Sequence, residues 1–179
     1  MEASIQFDYS SAGAIKRLYP GLEDIDYEIF GGMVVMELTK NHVALLKDIA
    51  TGLTKYSEFR NQQEPVLLVT HVFANSQAHR SRLLFPGTTI NEVNGIRVKT
   101  LQDFRNATRL ASSGRFLRLL VSDNVARSSD NIFVVLPMRY LMEEEQKLSR
   151  LFRYTITPFT QEILALNNIE NQDQKAYGA

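Results

Sequence analysis

Apolar positions along this chain come in short runs separated by polar breaks, a pattern that predicts short strands and short helices rather than long ones. The run after Gly31-Gly32, residues 33–38, reads as a strand. So does 66–73, opened by Pro65, whose unbroken apolarity predicts burial on both faces. Residues 89–93 and 96–98 flank Asn94-Gly95, the pair that reaches positive φ at low cost and closes a two-residue hairpin. Residues 116–121 and 132–136 predict two further strands around a polar loop, 122–131.

Helical spacing marks the rest. Residues 12–19 predict a short helix capped by Ser10-Ser11 and ended by Pro20-Gly21. Over 41–58, Leu46, Ile49, Leu53 and Tyr56 recur at intervals of 3, 4 and 3 and define one stripe. Residues 76–84 predict a short helix stopped by Pro86-Gly87. Residues 101–111 place Leu101, Phe104, Thr108 and Ala111 on one face behind an N-cap at Thr100. After Pro137 a helical tail over 139–152 carries Leu141, Leu148, Leu151 and Phe152. Thr157-Pro158 then supplies an N-cap and first-turn proline for a last helix through Leu166. Residues 170–179 are polar and predict a frayed end.

Composition narrows the function classes. Of 179 residues 44% are hydrophobic and 22% charged, ordinary for a globular chain and too apolar for a disordered one. Twenty basic and twenty acidic residues cancel, so the balance implies no large cationic face for nucleic acid. There is no cysteine, hence no disulfide, thiol nucleophile or cysteine-based zinc site. No run approaches the roughly 18 apolar residues of a membrane span. The first residues lack the character of a secretory signal or transit peptide, so the chain reads as either a cytosolic protein or a mature or excised piece of a longer one. His71, in an apolar run, and His79, beside Arg80 and Arg82, read as packed and solvated residues rather than metal ligands. No cofactor is expected. Glu143-Glu144-Glu145 with Lys147 and Arg150 predicts a solvated helix face.

The phrase Ile90-x-x-Val93-Asn94-Gly95-x-x-Val98, followed by an amphipathic helix, resembles a PDZ domain. The likeness extends along the chain. Residues 27–39, YEIFGGMVVMELT, resemble the opening of the second, C-terminal PDZ domain of organellar Deg/HtrA-type serine proteases. Residues 66–78 and the strands 115–121 and 132–136 are similar to that family's later strands, and 159–169 to its closing helix. Two departures stand out: residues 137–157 are longer than the usual linker, and Glu37 replaces a favoured proline.

This resemblance implies an α+β fold, a partly closed antiparallel sheet capped by helices. The implied organisation is a leading segment 1–26, a PDZ-like core 27–136 with a helical insertion 40–64, a helical extension 137–169 and a flexible tail 170–179. It implies a non-catalytic interaction module that binds a peptide C-terminus, an extended protein segment or a neighbouring subunit. The family's protease motifs around a nucleophilic serine and its base do not occur here. A peptide would add to an edge strand, Met33, Val34, Val35 and Met36, with its carboxylate on the N–H groups of Phe30, Gly31 and Gly32. Leu101, Phe104, Arg105 and Thr108 would form the opposite wall. The alternative is a structural oligomerisation domain with an occluded groove.

Overall fold

The computed structural model describes residues 13–125 and 129–166. Within them, seven strands form one antiparallel sheet: β1 (Glu28–Phe30), β2 (Met33–Glu37), β3 (Leu67–Val72), β4 (Thr89–Val93), β5 (Ile96–Arg97), β6 (Phe116–Asp123) and β7 (Ser129–Pro137). Their order is β1-β2-β3-β4-β6-β7, with β5 paired to β4 beyond the main path. The helices are α1 (Lys40–Leu46), α2 (Gln77–Ser81), α3 (Leu101–Ala111) and α4 (Met138–Phe152), followed by α5 over 158–166. The architecture is mixed, an antiparallel sheet with helices packed against it, as an α+β fold requires.

Local chemistry explains the parts that the sequence predicts. Asn94 (φ +50°) and Gly95 (φ +83°) both lie in the left-handed region, as a type I′ turn demands, and β4 and β5 pair through Val93 and Ile96. Thr100 caps α3 in a reciprocal box: its side chain accepts from the Asp103 N–H, and the Asp103 carboxylate accepts from the Thr100 N–H. The Thr100 N–H, then the Lys99 N–H, which donates to the same carboxylate oxygen, hold the Asp103 carboxyl below its usual pKa. Thr157 caps α5, accepting from the Thr160 N–H at 3.3 Å. Glu37 caps α3 from outside: its Oε1 accepts from the Leu101 N–H at 3.0 Å, satisfying a donor in the first turn of α3 that no intrahelical carbonyl reaches. Glu37→Ala is expected to lower stability by about 1 kcal/mol, by analogy with a lost helix cap. An unchanged urea midpoint would show that water replaces the carboxylate without loss.

The main core joins Met33 and Val35 of β2, Leu67 and Val69 of β3, the buried face of α3, and Met138, Leu141, Phe159 and Ile163. A second cluster forms behind β3 from Ile15, Leu38, Val43, Leu46, Ala50, Leu53 and Leu68. The first half of β3 is therefore buried on both faces, its alternate residues serving two cores. His71, further along, is exposed.

Three expected helices change. Residues 41–58 do not form one helix: α1 ends at Leu46, and Thr51–Ser57 is a 3-10 turn. Leu46 and Leu53 are buried, but Ile49 is 56% exposed. The break is a tertiary demand: the Gly52 N–H donates to the Asn124 carbonyl, and a Cβ at Gly52 would lie 2.8 Å from the Asn124 side chain. Residues 13–19 are not helical either, because their backbone bonds the insertion instead. The Ile15 N–H donates to Gln62, the Lys16 carbonyl accepts from Lys40, and Leu18 exchanges two bonds with the Asn41 amide. The helix expected over 76–84 ends at Ser81, where Arg82 turns left-handed. The expected tail 170–179 lies outside the described residues.

Candidate functional site

The β1–β2 hairpin is the centre of the candidate site. Gly31 (φ +62°) and Gly32 (φ +83°) close it as a two-residue turn between Phe30 and Met33. β2 is not an edge strand, contrary to the sequence expectation. Val34 and Val35 face Ile29 and Glu28 of β1 on one side, and His71 and Val69 of β3 on the other. No peptide can add beside Met33–Met36 while β1 holds that place. The edge has moved one strand outward, to β1. In a hairpin closed by the Phe30–Met33 pair, the backbone groups of Ile29 point away from β2.

Most of the expected wall is core. Phe30, Met33, Val35, Leu101, Phe104 and Thr108 are all buried, and Val34 and Met36 are half-buried. Among the described residues Thr108 Oγ1 has no hydrogen-bond partner. Arg105 alone of the α3 candidates reaches a cleft. Its Nε donates to Glu28 Oε1 at 2.6 Å, and its two terminal nitrogens donate to both carboxylate oxygens of Asp26, at 3.0 and 2.6 Å. The Asp26 bonds, then Glu28, raise the guanidinium pKa further above its usual value. This ion cluster floors an open cleft of about 420 Å³ lined by residues 25–28, Arg105 and 155–159.

The chain's own C-terminal part occupies the rest of the space between β1 and α3. Thr160 Oγ1 donates to the outward carbonyl of Ile29 at 2.7 Å, and Thr157 Oγ1 donates to buried Glu28. Phe159 packs on Phe30 and lies beneath Arg109, with 6.2 Å between ring centroids and 5.7 Å from guanidinium carbon to ring. Arg109 makes a two-pronged pair with Glu162, at 2.7 and 2.9 Å.

The glycine turn does hold a carboxylate, but one supplied by α4. Glu145, fully buried, accepts from the Gly31 N–H at 3.2 Å and from the Tyr154 hydroxyl at 2.7 Å. Burial pushes its pKa up to about 7 against the pull of those two donors. Burial, then the neighbouring carboxylate, raises the Tyr154 phenol as well. Tyr154 stacks on Phe73, centroids 4.9 Å apart. The expected solvated face is thus wrong for Glu145. Its signal was in the spacing: Met138, Leu141, Glu145 and Leu148 fall at intervals of 3, 4 and 3 on one buried stripe of α4. Glu143 pairs with Arg139, and Glu144 with Arg80. On the same helix Leu151 is 68% exposed.

The three histidines have local roles. His42 closes the capping box of α1, His71 sets its ring edge-on to Phe73, and His79 Nδ1 accepts from the Asn75 N–H. Among the described residues no group of three histidine and acidic side chains is arranged to hold a metal ion, and no helix is long and apolar enough to cross a membrane. The site so defined is a cleft between a strand edge and a helix, in an α+β protein. Compared with known proteins, the chain matches no protein-family model and no curated protein.

Proposed function

We propose that this chain is a non-catalytic, PDZ-like interaction module of the Deg/HtrA type, which engages a peptide or a neighbouring subunit through the cleft between β1 and α3. In a parent protease such a module would regulate substrate access or assembly. The observation that carries this reading is the edge of β1. Its first residue, Glu28, lines an open cleft together with Arg105 of α3, a place where an extended segment can lie along the sheet while its side chains meet the helix. A titration with a hydrophobic C-terminal peptide is expected to shift amides of residues 25–30 and 105–109. Shifts elsewhere, or none at millimolar peptide, would sink the peptide arm of the proposal.

A second reading, a structural oligomerisation domain with an occluded groove, is favoured by one specific arrangement. Both places a ligand would use are filled from within: Thr160 sits on the Ile29 carbonyl, and Glu145 on the Gly31 N–H. That reading expects a silent titration together with a stable oligomer in sedimentation.

A further inference from the structure

We propose that residues 157–163 are a built-in ligand, and that the groove between β1 and α3 takes, in trans, a short amphipathic helix of the same chemistry. The inference rests on the interaction-module reading and names its partner class: an aromatic residue, then a hydroxyl residue, an acid two positions later, and an aliphatic residue next to the acid.

Each element of that pattern has a receiving group. Phe159 meets the Phe30 ring and lies under the Arg109 guanidinium. The Thr160 hydroxyl donates to Ile29, whose carbonyl the hairpin register leaves without a strand partner. Glu162 meets the fork of Arg109 with both oxygens, a geometry lysine could not reproduce. Ile163, four residues after Phe159, is fully buried in the main core cluster. Thr157 supplies the helix cap and also donates to Glu28, so the start of the helix is placed as well as begun. Anchors at i and i+4 with a charge between them are the means by which a helix is read in a groove. The space is also larger than its occupant, because the cleft of about 420 Å³ remains open beside residues 155–159. The connection back to α4 is short: Arg153 (φ +56°) ends that helix, and 154–157 has no regular structure.

The experiment uses the full chain with a protease site inserted between Arg153 and Thr157, cleaved after folding. The probe is a fluorescent synthetic peptide of residues 154–166. The cleaved chain is expected to stay folded and exchange its own segment for the probe, whereas the uncleaved chain binds it at least tenfold more weakly. A Phe159→Ala probe should bind at least tenfold more weakly than the parent. A Glu162→Arg probe should also lose affinity, and Arg109→Glu in the cleaved chain should restore it. The proposal is overturned if the cleaved chain unfolds, since the segment is then ordinary core. It is equally overturned if binding ignores Phe159 and Glu162. Exchange of this helical probe alongside a silent C-terminal-peptide titration would leave the inference standing and remove only the extended-peptide arm of the function.

Discussion

Gly32→Ala is expected to destabilise the protein far more than Gly95→Ala, although both glycines hold the same backbone angle, φ +83°. At Gly95 a Cβ meets nothing within 4 Å, so the substitution carries only left-handed strain, roughly 1–2 kcal/mol. At Gly32 the same strain applies, and a Cβ would lie 2.0 Å from Ser76 Cβ. Ser76 cannot retreat easily. It caps α2, is fully buried, and its hydroxyl faces the Gly32 carbonyl. Overpacking of this kind adds roughly 1–3 kcal/mol. Urea unfolding of the two variants side by side measures the difference, which isolates the clash because the strain cancels. Equal losses would mean that α2 moves aside freely and that the hairpin turn is not a packing seat.

Glu145→Gln is expected to remove a pH dependence that the wild type shows between pH 4.5 and about 7. The folded state raises this carboxyl from 4.5 to about 7, so in that window the folded chain binds more protons than the unfolded one. Stability from the neutral form is therefore full below pH 4.5 and is lost as pH rises through 7. Two and a half pH units correspond to about 3 kcal/mol. Other groups titrate in or near this range. Burial depresses His42, so its contribution runs the opposite way, rising as pH climbs toward 6.5. The carboxyls of Glu23, Glu64, Asp103 and Glu162 are lowered, and they act below the window. The informative quantity is thus the difference between wild type and variant, which should grow by about 3 kcal/mol in favour of glutamine from pH 4 to pH 8. A constant difference across that range would mean that the Gly31 N–H and the Tyr154 hydroxyl compensate the buried charge fully.

The same carboxylate bears on the glycine turn. Its Gly31 N–H was expected to receive the terminus of a ligand, and it receives a side chain 114 residues away. Any ligand that seeks this turn must displace Glu145, and with it the hydroxyl of Tyr154. The turn is then better regarded as the seat of α4.

The features legible in the sequence are those settled within a few residues. Asn94-Gly95 closes its hairpin because two adjacent positions must take positive φ, and few residue pairs do so cheaply. Thr100 and Thr157 each start a helix by satisfying a donor one turn away, and Pro158 stands in a first turn where no N–H is needed. Alternation in 33–37 and the α3 stripe reveal their buried faces, since burial repeats with the period of the element.

Only the tertiary structure decided the rest. A strand is an edge or an interior strand according to what lies beside it, and the three-residue β1 was too short to announce itself. Residues 41–58 carry a helical stripe, yet the need of Gly52 for the Asn124 carbonyl breaks it, and that partner is 72 residues distant. Glu145 looks solvated beside two other acids, but its position between Leu141 and Leu148 places it against the hairpin turn. Short-range patterns report backbone preference and facing; which donor, acceptor or cavity a face finally meets depends on long-range contacts that no local window contains.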